Sequence, residues 1–155
     1  MSSLSLVEPR QQDLDFLMDL VRSYYEYDGH AFDAGLVKES IKNLINQPSF
    51  GRVWLIDLFD KNSVKSRAIG YIVLTFGYSL EFHGRDAFID EFFIVESERR
   101  NGFGKKTMEL IFEKAKEFEI KAIHLEVVTG NHNAYEFYNK IGFTNRSHHL
   151  LTKKV

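Results

Sequence analysis

Cysteine is absent from the 155 residues. That excludes disulfides, a cysteine nucleophile and cysteine-ligated metal, while leaving redox compartment open. Proline is scarce: Pro9 and Pro48 are the only two, and both fall between periodic segments. No apolar run approaches the ~20 residues needed to span a bilayer. The first twelve residues lack the basic-then-apolar order of a cleaved signal peptide. A cytoplasmic protein without membrane association is therefore expected. No repeat, low-complexity tract or linker occurs, so one domain over residues 1–155 is expected. Neither sign of charge dominates. The 20 Lys/Arg and 22 Asp/Glu give a net charge of −2, which argues against a general nucleic-acid binder. None of the six histidines has metal-motif spacing, and no G-x-S-x-G occurs, so neither a bound metal nor a Ser-His-Asp hydrolase is expected.

Aromatic residues are plentiful, with 14 Phe, 7 Tyr and 1 Trp, enough for a large core in a small chain. Charge is unevenly placed. Residues 1–50 carry 4 Lys/Arg and 8 Asp/Glu, residues 51–98 carry 5 and 8, and residues 99–155 carry 11 and 6. The basic third suggests an anionic ligand and the acidic remainder a cationic one, although chance variation of surface charge gives the same pattern.

Leu4–Glu8 reads as a short strand. From Leu14, the apolar positions Leu17, Met18, Val21, Tyr24 and Tyr25 follow at offsets of 3, 4, 7, 10 and 11, one face of a helix over Gln11–Tyr27. Val37, Ile41, Leu44 and Ile45 repeat that pattern, with Pro48 as a stop. Arg52–Phe59 and Ala68–Phe76 read as strands around a Lys61-Asn62-Ser63 turn. Ala87–Val95 reads as a strand buried on both faces. A helix opening at Gly102 and Gly104 carries Met108, Ile111, Phe112, Ala115 and Phe118 on one side. Lys121–Val128 is a strand, Asn131–Ile141 a helix closed by Gly142, and Phe143–Arg146 and His148–Lys153 two last strands. The pattern predicts an α/β (α+β) fold: a mixed, mostly antiparallel sheet of about seven strands with helices on both faces.

The strongest chemical signal is Glu98-Arg99-Arg100-Asn101-Gly102-Phe103-Gly104-Lys105-Lys106, between a buried strand and an amphipathic helix. A helix N-terminus offers free N–H groups and the positive end of a dipole, and glycines let phosphate oxygens approach the backbone. A P-loop would need Gly at position 99 and Ser or Thr at 106, where Arg99 and Lys106 stand. A dinucleotide fingerprint would need Gly at 107, where Thr107 stands. The glycines alone are also compatible with a tight turn of no chemical role.

Arg99-x-x-Gly102-x-Gly104 resembles the acyl-CoA pyrophosphate loop of the GNAT superfamily of N-acetyltransferases. Asn131-x-x-Ala134-x-x-Phe137-Tyr138-x-x-x-Gly142-Phe143 resembles that family's later helix and strand. The element order agrees over nearly the whole chain, and Phe88–Phe93 is most similar to the small-amine, spermidine/spermine-type branch. The resemblance implies acetyl-CoA as co-substrate, held at Arg99, Arg100, Gly102, Phe103, Gly104 and Lys105, with the backbone amides of Arg100, Gly102, Gly104 and Lys105 on the pyrophosphate. Phe92, Phe93 and Ile94 would run along the pantetheine arm through main-chain hydrogen bonds, in a slot where the Ala87–Val95 strand, which carries a bulge in that family, splays from the Lys121–Val128 strand. Asn131 would contact the cofactor, and Tyr138 would protonate the departing thiolate. A homodimer is compatible with the resemblance, but no interface signature is present.

Acetyl transfer to an amine needs a base for the amine's proton, donors for the oxyanion and a proton or hydrogen bond for the thiolate. It needs no covalent enzyme intermediate. Asp90 and Glu91 are adjacent in an apolar strand, so alternation sends them to opposite faces. Glu91 is favoured as base for its reach, with Asp90 the alternative; solvated or structurally paired carboxylates remain the plain reading of both. Periodicity by itself would make Tyr138 a core residue. The resemblance implies that the end of the first helix, with Tyr24 and Tyr27, forms one wall of the acceptor site and that Tyr78 and Glu81 line the opposite one. Such walls would suit a small cationic amine through cation–π contact and ion pairing; a solvated helix end with core tyrosines is the plain reading. A protein or peptide amine acceptor, or a non-catalytic acyl-CoA sensor of the same fold, are the alternatives.

Overall fold

The computed structural model describes residues 2–62 and 64–155. Its elements run β1 (Ser2–Val7), α1 (Leu14–Asp28), α2 (Ala34–Asn46), β2 (Gly51–Asp60), β3 (Lys65–Ser79), β4 (Gly84–Ile94), α3 (Phe103–Glu117), β5 (Ala122–His124) and α4 (His132–Lys140). Single 3-10 turns precede α1 and follow β4. Residues 1–125 form one compact unit and residues 126–155 a second. Lys61 and Asn62 turn between β2 and β3 as the composition suggests, whereas Ser63 lies outside the described residues.

In the first unit, five strands form one mixed sheet in the order β1-β2-β3-β4-β5, antiparallel except for β4 and β5, which pair in parallel. Alternation along β2 and β3 sends Val53, Leu55, Tyr71 and Val73 to one face, where they meet Leu17, Leu20 and Val21 of α1. Trp54 points the other way and stacks on Phe118 at the end of α3. Helices α1 and α3 thus lie on opposite faces of the sheet, each with the apolar stripe that its 3.6-residue period created.

The pattern suggests about seven strands, and the described residues form five. Phe143–Arg146 and His148–Lys153 are irregular. The Asn145 side chain accepts a hydrogen bond from the Ser147 amide (2.8 Å) and Ser147 takes φ +56°, so a local turn replaces extended backbone there. Leu150 and Leu151 are exposed, which leaves a strand there without a buried face. The predicted Lys121–Val128 strand shortens to Ala122–His124, which pairs only with Asp86–Phe88 of β4.

Two irregularities shape the sheet beside α1. In β4, Ile89 pairs with Leu74 and Glu91 with Val73, so Asp90 is an extra residue, a β-bulge. In β3, Gly70 faces Ile94, and a Cβ there would overlap the carbonyl oxygen of Phe93. We expect Gly70→Ala to destabilise the protein by about 1–3 kcal/mol, since backbone must move to admit the methyl. Urea unfolding of the variant beside the parent protein checks this.

Candidate active site

The bulge decides where Glu91 points. In unbroken alternation it would share a face with Ile89, whose partner Leu74 lies on the α3 side of the sheet. The extra residue reverses the phase, and Glu91 comes opposite Val73, on the α1 side. The same bulge leaves Asp90 beside it, so both carboxylates line one cleft instead of facing opposite ways. Two-fold alternation, the basis for expecting only one of them there, does not survive an inserted residue.

The cleft encloses about 290 Å³ between the sheet and α1 and α2. At one end, Glu91 accepts a hydrogen bond on each carboxylate oxygen: from the Tyr25 hydroxyl on Oε1 (2.8 Å) and the Tyr71 hydroxyl on Oε2 (2.7 Å). Burial raises the Glu91 pKa; the Tyr71 and Tyr25 hydroxyls pull it back, the Asp90 charge raises it and His30 lowers it, with a net upward shift. Asp90 is also shifted upward by desolvation. Burial, reinforced by the carboxylate they contact, raises the pKa of both Tyr25 and Tyr71, so the two phenols keep their protons at neutral pH. Each carboxylate oxygen of Glu91 retains a further lone pair that can take a proton from a ligand. A second hollow, near Pro9, Arg10 and Lys42, is lined by no carboxylate among the described residues.

Aromatic packing fixes this end of the cleft. Tyr24 lies 6.4 Å from Tyr71 and 6.0 Å from Phe93, ring centre to ring centre, and Tyr25 lies 5.8 Å from Phe32. Tyr25 and Tyr71 are the residues that sequence reasoning did not single out. Tyr25 sat in the aromatic run ending the first helix, and Tyr71 read as an ordinary strand aromatic. The available signal was weak: two tyrosines on core-facing positions where phenylalanine would satisfy packing alone.

The other predicted residues are distributed as follows. Phe93 and Ile94 are buried, and the Ile94 carbonyl accepts a hydrogen bond from Arg99 Nε (2.7 Å). The Arg99 guanidinium lies 4.4 Å from the ring centre of Tyr27 and 5.2 Å from that of Phe93, so this cation is held against β4 and the end of α1. Phe92 pairs with Ile72. Tyr78 is 73% exposed, Glu81 is exposed, and neither lines the cleft. Among the described residues, no group of three His, Asp or Glu side chains is arranged to hold a metal ion. No helix among them is long and apolar enough to cross a membrane.

The turn into α3 has the features of an anion cradle. Arg100 (φ +64°) and Gly102 (φ +79°) are both left-handed, and Gly102 precedes the first helical residue, Phe103. Helix geometry leaves the amides of Phe103, Gly104 and Lys105 without a carbonyl one turn back. Nothing lies within 4 Å of where a Gly102 Cβ would sit, so an oxygen can approach that backbone. With Lys105 and Lys106 alongside, these residues fit a diphosphate.

In the second unit, Asn131 caps α4, its Oδ1 accepting a hydrogen bond from the Ala134 amide (3.2 Å). The Tyr138 ring packs between Phe137 (5.1 Å) and Phe143 (5.6 Å). Burial pushes its hydroxyl pKa up to about 12.

The family model described as "Acetyltransferase (GNAT) family" matches residues 14–143, which makes the protein an acyltransferase. The chain belongs to the GNAT acetyltransferase family. Its fold is similar to that of a possible acetyltransferase from Clostridium difficile 630 (TM-score 0.81, 20% identity, 98% of this chain and 97% of that one covered). It is also similar to a predicted acetyltransferase from Clostridium acetobutylicum crystallised with acetyl-CoA (TM-score 0.75, 16% identity, 99% and 96% covered). A third similar structure is an aminoglycoside 6'-N-acetyltransferase from Acinetobacter baumannii (TM-score 0.73, 14% identity, 100% and 99% covered). No curated protein matches the chain.

Proposed function

We propose that the protein is an acetyl-CoA-dependent N-acetyltransferase whose acceptor is a small cationic primary amine, with Glu91 as the base. The carrying observation is the Glu91 carboxylate, held by two tyrosine hydroxyls at the end of an open cleft and shifted upward by burial. A carboxylate so placed attracts an ammonium, and its raised pKa makes it a better proton acceptor than an exposed glutamate. Tyr25 and Tyr71 orient it and stabilise its charged form. Asp90, the other candidate base, contributes negative charge beside it.

Acetyl-CoA supplies the thioester-activated acetyl group. The amides at Gly102–Lys105 would hold its diphosphate, the β4 backbone at Phe92 and Phe93 would lie along its arm, and Asn131 would contact it as the family motif implies. Arg99 would contribute by bracing the start of that turn against Ile94 and Tyr27. Tyr138 would donate a hydrogen bond to the departing sulfur. With a pKa near 12 it lies well above a thiol at about 8.5, so stabilising the thiolate is easier for it than surrendering the proton outright.

Thiol release from acetyl-CoA, followed across an amine panel and across pH, tests this. Release should depend on added amine, and exclusive use of neutral or anionic acceptors would contradict the reading. With a cationic amine, kcat/KM should rise with pH along a limb set by Glu91, above the ordinary carboxylate range. Tyr25→Phe removes a donor that stabilises the anion, so the Glu91 pKa rises further and that limb moves to higher pH. A limb that stays in place, or moves to lower pH, removes Tyr25 from this role.

A further inference from the structure

We infer that the acceptor is a primary monoamine with an apolar body, and not a polyamine. This rests on acetyl transfer taking place in the Glu91 cleft and specifies what the rest of that cleft binds. Its polar groups are segregated: Asp90, Glu91 and the hydroxyls of Tyr25 and Tyr71 stand together, where β4 and β3 meet α1. The remaining walls are aliphatic, from Leu17 and Val21 of α1, Val37, Ile41 and Leu44 of α2, and Val53 of β2. Ser40 is the one polar side chain that α2 adds to the lining.

The packing of α2 supports an apolar occupant. Helix α1 buries five residues, whereas α2, with a similar stripe at Val37, Ile41 and Leu44, buries none. Leu36, one turn from Ser40, is 64% exposed yet lines the same cleft. A helix that keeps its apolar face only partly covered, over a cavity of about 290 Å³, leaves hydrocarbon surface for a ligand to cover. Charge complementarity sets the orientation. One ammonium, with three donors, pairs with the carboxylate end, and the carbon chain then lies between α1 and α2. A second ammonium a few carbons along would lie beside aliphatic side chains and the Ser40 hydroxyl, away from the carboxylate end. Covering those walls with it would cost hydration that no carboxylate there offsets, which is unfavourable.

The test compares butylamine with 1,4-diaminobutane, which share a reach and differ at the far end, using thiol release from acetyl-CoA and calorimetric titration of each amine. The monoamine is expected to show at least about tenfold higher kcat/KM and tighter binding. Each methylene added from propylamine to pentylamine should improve it about fourfold. Ile41→Asp should reduce or reverse the preference. Leu36→Asp, at an exposed position, should narrow it without risk to folding. Equal or better use of the diamine, or no dependence on chain length, would overturn the inference while leaving acetyl transfer intact. Preferential binding of the monoamine without thiol release would support the apolar pocket and overturn the transferase reading instead. Binding of neither amine, with no thiol release, would overturn both.

Discussion

Glu91→Gln is expected to lower amine-dependent acetyl transfer by about 10²- to 10⁴-fold, the range for removing a positioned general base, while the protein stays folded. The amide keeps the shape of the side chain, and both Tyr25 and Tyr71 retain a hydrogen-bonding partner, because a hydroxyl can accept as well as donate. Stability should not fall with activity. Burial holds the Glu91 pKa above its unfolded value, so its ionisation favours the unfolded chain. The native state is therefore relatively most stable below the unfolded pKa, and that advantage is lost as pH rises through the folded one. At pH 7 the variant should melt at or above the temperature of the parent, with a flatter dependence of melting temperature on pH in that window. Steady-state kinetics and thermal unfolding across pH measure both effects. A variant of near-normal turnover would take the base role from Glu91 and leave Asp90 or a water to carry it.

Tyr138→Phe should lower turnover by about 10- to 100-fold with little change in acetyl-CoA binding. The figure follows from a hydrogen bond to a charged group, worth about 1.5–3 kcal/mol. A full proton transfer would cost more when removed, but a phenol pushed up to about 12 is poorly matched to a thiolate. The ring contacts with Phe137 and Phe143 survive the loss of the hydroxyl, so folding should be kept. Pre-steady-state measurement of thiol release, with calorimetry for the co-substrate, separates the two effects. Unchanged turnover would return Tyr138 to a packing role.

Local periodicity made the helices and the long strands readable, because each has one face that must be buried. Val53, Leu55, Tyr71 and Val73 alternate as a sheet demands, and Leu14 to Val21 repeat as a helix demands. The end of the chain misled because Phe143–Lys153 contains strand-forming residue types, yet the described residues there form no strand, and Asn145 captures the Ser147 amide instead. The carboxylate pair was visible in sequence, but its geometry was not. A bulge has no signature in alternation, and it alone turns Glu91 toward α1 while keeping Asp90 on the same cleft. The partners of Glu91 are 66 and 20 residues away, a separation that a pattern of nearby residues cannot report. Arg99 read as a phosphate-binding cation, yet its nearest commitments are the Ile94 carbonyl and the Tyr27 ring. The Tyr27 contact too joins segments distant in the chain.

Acetyl-CoA recognition at the turn into α3 underlies the whole account, and calorimetry with two thioesters addresses it most directly. Acetyl-CoA carries the diphosphate, and acetyl-pantetheine lacks it. The parent protein should bind acetyl-CoA far more tightly. Gly102→Val, which places a branched side chain where Gly102 holds φ +79° and open space, should erase most of that difference. Equal binding of the two thioesters by the parent protein, or an unaltered preference in the variant, would contradict it.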